Sequence, residues 1–370
     1  MKKSLGQLML IGISGPRLTH HEKKFIVANN ISGVTLFGPR NLVDPKQIHE
    51  LCSEIQSLRH QMPDRAPLFI GIDMEGGRVH RLKAPFTFWP AVQNLGKIDN
   101  PTVSFNFANR MGLEMKAMGI NLNYAPCVDV FTNPKNTVIG DRSIGSDPEL
   151  VAKHGSALVR GYVKAGVLAC AKHFPGHGNT LLDSHEDLPI EQNTLEQLEK
   201  VELVPFKRVF KSRVDMTMTS HILFPKIDPD WPVTLSEIFL QKILRTTARY
   251  RGLIITDDLD MKGLTKHFPQ DLIPTRAVQA GADLLLYCNE PTSPLRAIES
   301  MLGAIAQGQL DGKYIESQHE RILSFKKERL KNPDPIPYSE AIKSVGTPEN
   351  IALAAAILRG EVPQNLSVET

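Results

Sequence analysis

Cysteine is scarce in this sequence: Cys52, Cys127, Cys170 and Cys288 are the only four in 370 residues. They have no paired spacing, and three of them lie in strand-like apolar runs. That excludes a disulfide-stapled scaffold, and the four read as small buried hydrophobes in a reducing compartment. No apolar stretch approaches the roughly 20 residues a membrane-spanning helix needs. An excess of one charge sign is missing as well. The net charge of +3 is spread along the chain, so neither a nucleic-acid nor a membrane partner is expected. Internal repeats and low-complexity tracts are absent. Met1-Lys2-Lys3 followed by Leu8–Ile13 faintly resembles a signal peptide, but Gln7 interrupts its start and no small-residue cleavage site follows. A first buried strand and a cytoplasmic protein are the expectation.

What is present is ordinary for a globular enzyme-sized chain, 41% hydrophobic and 22% charged. Eight strand-like runs recur: Leu8–Ile13, Val34–Phe37, Leu68–Asp73, Ile120–Val130, Val167–Lys172, Met216–His221, Leu253–Asp257 and Ala282–Cys288. Amphipathic segments alternate with them. Ile48, Leu51, Cys52, Ile55 and Leu58 share one helical face, as do Phe239, Leu240, Ile243, Leu244 and Thr247. Thr194-x-x-Gln197 and Thr234-x-x-Glu237 read as capping boxes, Asp147-Pro148 opens a helix, and Gly166, Gly252 and Gly281 mark handovers to strands. The alternation predicts an α/β fold, a single-domain (β/α)₈ TIM-type barrel over residues 1–330. A doubly wound open sheet is the alternative, but no Gly-x-Gly-x-x-Gly follows the first strand. Asn332-Pro333-Asp334-Pro335-Ile336-Pro337 then breaks the chain, and 331–370 forms a C-terminal extension, helical over 348–359.

Chemistry concentrates after the fifth run, in Lys172-His173-Phe174-Pro175-Gly176-His177-Gly178, continuing to Asp183-Ser184-His185. Titratable side chains on a glycine-punctuated loop past a buried strand stand where α/β enzymes keep their active sites. Asp183 and His185 are two apart, so the carboxylate can orient the imidazole and raise its basicity, as a histidine general acid/base requires. A metal site on His173, His177, Asp183 and His185 is conceivable. No helical His-x-x-x-His or cysteine pair fixes a geometry, and neither metal nor cofactor is expected. Other strand ends carry Asp73-Met74-Glu75-Gly76-Gly77-Arg78-Val79-His80-Arg81, Asp129, Gly140-Asp141-Arg142-Ser143, His221 and Thr256-Asp257-Asp258-Leu259-Asp260-Met261. Carboxylates and arginines converging on one rim suit a polyhydroxylated ligand such as a sugar. The competing reading makes Glu75, Arg78, Asp129, Asp141 and Asp258 partners in rim salt bridges.

With these motifs in this order, the chain resembles glycoside hydrolase family 3, in its single-domain bacterial β-N-acetylglucosaminidase branch active in peptidoglycan recycling. The resemblance covers roughly residues 4–330. It implies Asp257 as nucleophile forming a covalent glycosyl-enzyme, His185 as acid/base and Asp183 as its dyad partner. It also implies that Asp73, Arg81, Arg142, Lys172 and His173 hold a terminal N-acetylglucosamine, and that the substrate is a muropeptide or glycan fragment taken by a monomer. The extension past Leu330 is longer than the barrel requires, and Ile144 stands where an aromatic is common. Three further readings follow. The first is a phosphorylase, because a neutral imidazole base, unlike a carboxylate, would not repel phosphate. The others are an inactive sugar-binding barrel and a metal-dependent hydrolase.

Overall fold

The structure is a computed structural model, and it describes residues 1–181, 183, 184, 186–363 and 366. Eight parallel strands close into a barrel in sequence order: β1 Met9–Gly12, β2 Gly33–Leu36, β3 Phe69–Ile72, β4 Leu122–Asn123, β5 Leu168–Phe174, β6 Met216–Thr219, β7 Leu253–Asp258 and β8 Leu284–Tyr287. β1 pairs with both β2 and β8, Leu10 opposite Gly33 and Leu286. The barrel is the one that the alternation of apolar runs predicts. Helices cover its outer face while side chains fill its interior. Every strand is therefore buried on both sides, which is why each reads as a continuous apolar run.

Local signals account for most helix ends. Thr194 and Gln197 form a reciprocal capping box, and Asp147 accepts from the Glu149 N–H at the start of Pro148–Ala165. Gly166 and Gly281 end their helices in the left-handed conformation. Two expectations need correction. Thr234 caps no helix; its hydroxyl lies 2.8 Å from Thr219 Oγ1 and 2.8 Å from His221 Nδ1. Instead Ser236 Oγ accepts the Phe239 N–H ahead of a π-helical segment, Ile238–Thr247. Gly252 serves a close approach rather than a cap, since a Cβ there would lie 2.5 Å from the Asp215 carbonyl oxygen.

The Ile120–Val130 run yields only two strand residues, Leu122 and Asn123. Beyond Asn123 the backbone still tracks β5, with the Cys170 N–H donating to the Ala125 carbonyl at 2.9 Å.

Polar residues seal the lower end of the barrel. Asn121, Asp215 and Asp283 stand just before β4, β6 and β8. Each accepts a backbone N–H of the preceding strand, from Ile70 at 2.8 Å, Ala169 at 3.0 Å and Ile254 at 2.6 Å. The helix Gly312–Arg329 closes this end. Its buried Lys326 donates to Gln7 Oε1 and the Ser32 carbonyl and lies 4.7 Å from the Phe69 ring centroid. Burial pulls this ammonium down to a pKa of about 7. After the proline-rich break, Ile342–Ser344 and Pro348–Arg359 fold back beside the helix Pro101–Ala117. All four cysteines are buried thiols. No helix among the described residues is long and apolar enough to cross a membrane.

Candidate active site

The C-terminal ends of the strands frame a cavity of about 190 Å³. Its position follows from two irregularities in the sheet. The β5–β6 register slips between Ala171 and Phe174, and the β7–β8 register slips between Ile255 and Asp258. Such slips re-aim side chains at strand ends. The first carries Lys172 and His173, the second Thr256 and Asp257. Lys172 stands in β5 as the run Val167–Lys172 predicts, and the strand goes on through His173 to Phe174, two residues further than expected.

Glu75 is the centre of the charge network. Arg142 forks onto it, Nε donating to Oε2 and Nη2 to Oε1, both at 2.9 Å. Lys172 Nζ lies 2.6 Å from Glu75 Oε1 and 2.6 Å from Asp73 Oδ1. Burial opposes ionisation of Glu75, but the adjacent Arg142 and Lys172 charges override it and hold the carboxyl below the usual carboxylate range. Burial likewise works against the Lys172 ammonium, and Asp73 and Glu75 more than offset it. Glu75 is therefore the salt-bridge partner that one reading allowed, yet it also lines the cavity. The Gly76-Gly77 turn makes this possible. Gly76 sits at φ 98°, and a Cβ there would lie 2.3 Å from the Pro90 carbonyl oxygen.

A second carboxylate, Asp129, organises the histidines. Its Oδ2 accepts His173 Nδ1–H at 2.7 Å, and its Oδ1 accepts the backbone N–H groups of His173 and His177 at 3.1 and 2.7 Å. That fixes the His173 ring and turns Nε2 toward Arg142 Nη2, 3.4 Å away. Cys127, Asp129 and His173 are close enough to hold a metal ion, but the Asp129–His173 and Cys127–Asp129 hydrogen bonds already account for their proximity. His177 is buried and lies within 2.7 Å of Thr180 Oγ1. Burial, then the neighbouring His173, lowers its pKa to about 4. It serves the loop as a neutral post.

Of the residues foreseen for the sugar, Asp73, Arg81, Arg142, Lys172 and His173 all line this cavity, together with Asp257. The buried Nε of Arg81 has no hydrogen-bond partner among the described residues. Asp257 Oδ1 accepts the Asp258 N–H at 2.8 Å. Asp258 is occupied differently, accepting from Asn289 Nδ2 at 2.6 Å and the Asp260 N–H at 3.0 Å, and burial lifts its pKa to about 7. His185 lies outside the described residues. Asp183 is half-buried beside Ser184, whose carbonyl is tied to the Gly263 N–H at 3.0 Å and which itself lines the cavity. Sequence reasoning missed Tyr124, Thr35 and Asn289 in the lining. Tyr124 was hidden inside an apolar run, and only the strand-end rule could have flagged Asn289.

A barrel whose strand ends gather carboxylates, a lysine and arginines around one small cavity suits a glycoside hydrolase. Residues 1–325 match the glycosyl hydrolase family 3 N terminal domain, and the chain belongs to that family. It is similar to the beta-hexosaminidase of Thiobacillus denitrificans, 36% identical over 296 residues that cover 78% of this chain and 79% of that one. Among solved structures it is similar to a glycoside hydrolase family 3 beta-N-acetylglucosaminidase from Paenibacillus sp. The TM-score there is 0.90 at 35% identity, with 98% of this chain and 68% of that one covered. It is also similar to NagZ from Neisseria gonorrhoeae, with TM-score 0.76, 29% identity, and 96% and 98% covered.

Proposed function

We propose that the protein is a retaining exo-β-N-acetylglucosaminidase that removes the terminal non-reducing N-acetylglucosamine from muropeptide or other peptidoglycan fragments in the cytoplasm. The observation that carries this reading is the convergence of Asp73, Arg81, Arg142, Lys172, His173 and Asp257 on one cavity. Its volume of about 190 Å³ lies below the ~300–1,000 Å³ of pockets for larger ligands, which favours a single ring and hence exo action. The kinship to beta-hexosaminidases favours the N-acetylated sugar.

In this reading Asp257 attacks the anomeric carbon while His185, held by Asp183, gives its proton to the departing glycosidic oxygen. The bond to the aglycone breaks as the glycosyl ester forms. Water then attacks the anomeric carbon, giving its proton to His185, and the bond to Asp257 breaks to release the carboxylate. Asp257 suits the nucleophile better than Asp258, whose carboxyl is engaged on both oxygens and carries a proton over much of the range below neutrality. Trapping the glycosyl-enzyme with a fluorinated N-acetylglucosaminide should label Asp257, and Asp257→Asn should bind ligand without turnover. Label on Asp258 would reassign the nucleophile. Product analysis on an N-acetylglucosaminyl-anhydromuramyl substrate, with and without phosphate, completes the test. Free sugar under both conditions supports hydrolysis, sugar-1-phosphate would replace it with phosphorolysis, and binding without turnover would leave a sugar-binding barrel. Loss of activity to a chelator would require a metal-dependent mechanism instead.

A further inference from the structure

Glu114 lies on the helix Pro101–Ala117, outside the cavity lining, yet its side chain is buried to 1% exposure. Its carboxylate collects donors from two distant stretches of chain. Oε1 accepts from the Thr87 N–H at 3.2 Å, the Thr87 hydroxyl at 2.8 Å and the Gly346 N–H at 2.7 Å, while Oε2 accepts Trp89 Nε1–H at 3.0 Å. No described lysine or arginine pairs with it, so neutral donors from the two stretches hold it in place.

Thr87 and Trp89 belong to the segment lying directly under the sugar-site turn. The Trp89 carbonyl accepts the Gly77 N–H at 2.8 Å, and the Thr87 carbonyl lies 2.9 Å from His80 Nε2. Gly77 and His80 sit between Glu75 and Arg81, both of which line the cavity. From the other side comes Gly346 of the extension, at φ 58°, so close that a Cβ there would lie 2.1 Å from the Pro85 carbonyl oxygen. Only glycine can press the extension onto this segment.

We infer that the C-terminal extension is a brace for the substrate-binding turn, with Glu114 as the positioning residue that couples Gly346 to Thr87 and Trp89, and through them to Glu75 and Arg81. Barrel closure does not require the extension, and this coupling gives it a task. The claim that the effect reaches substrate rests on the proposed function; the coupling itself does not.

Two variants of the full chain test it from opposite ends, Glu114→Gln and Gly346→Ala. Glu114→Gln puts an amide NH₂ against donors, and Gly346→Ala strains the contact from the extension. Hydrogen exchange should show faster opening of residues 75–91 in both variants, while β1 and β8 stay as protected as in the parent. With an aryl N-acetylglucosaminide, KM should rise about threefold to tenfold with kcat changed far less, since the turn binds the ring rather than reacting with it. If both variants fold and neither exchange over 75–91 nor KM moves, the brace is overturned, even where Tm falls. Faster exchange without any turnover in the parent would keep the coupling and sink the hydrolase reading. Faster exchange with an unchanged KM would show that the brace does not govern binding.

Discussion

Arg142 holds Glu75 and is proposed to hold the sugar as well, and its replacement should test both. As a foreseen ligand for the sugar, it should lower kcat/KM for an N-acetylglucosaminide by about tenfold or more when changed to alanine. The structure adds a stability cost. Glu75 is 2% exposed and Arg142 13%, so Arg142→Ala strands a buried carboxylate with Lys172 as its remaining charge partner. Removing one partner of a buried pair typically costs ~3–5 kcal/mol. Adding Glu75→Gln should recover part of the lost Tm while leaving activity low. A single variant that melts with the parent would show that Lys172 alone satisfies Glu75. Neither the fork nor its consequence could be read from the sequence, where Glu75 and Arg142 are 67 positions apart.

The loop after β5 carries the proposed general acid, and its stability has a pH dependence of its own. If His185 protonates the leaving oxygen, His185→Ala should hurt substrates according to how basic their leaving group is. The fall should be about 10²–10⁴-fold with a natural disaccharide and much smaller with a dinitrophenyl glycoside. Equal losses on both would remove His185 from that role. The same loop rests on Glu202, buried with Oε2 unpartnered among the described residues, whose side chain fills the space a Cβ on Gly176 would need. Burial, with a lesser push from Glu191, raises the Glu202 pKa to about 7 from a usual 4.5. The folded state therefore holds a proton that the unfolded state has released between about pH 4.5 and 7, so this group removes stability as pH rises through that window. Glu202→Gln should match the parent Tm at pH 4.5 and exceed it by a few degrees at pH 8. Equal Tm values at both pH values would mean Glu202 titrates normally.

At the scale of the whole molecule, the barrel was legible because both faces of every strand are buried, which leaves uninterrupted apolar runs between helical patterns. The charged residues that line the cavity were legible because strand ends collect functional groups. What stayed hidden depended on long-range pairing. Asp129 gripping His173, Asn121, Asp215 and Asp283 sealing the lower rim, and Glu114 reaching Gly346 all join residues tens to hundreds of positions apart. Local rules failed where tertiary contacts competed for the same atom, as when His221 and Thr219 took the Thr234 hydroxyl from its expected cap.

The pairing of β1 with β8 has a consequence for how the chain comes to be made. Leu10 bonds beside Leu286, so the first strand must wait for the eighth before the cylinder can close. At ~5–20 residues per second on the ribosome, that wait lasts roughly 15–60 s. Until then β1 lacks its β8 partner, and one edge of the sheet stays unpaired. Closure of so long a loop is also slow in itself, because distant ends must meet before any contact rewards them. The nascent protein should therefore depend on holding chaperones until Leu284–Tyr287 emerges.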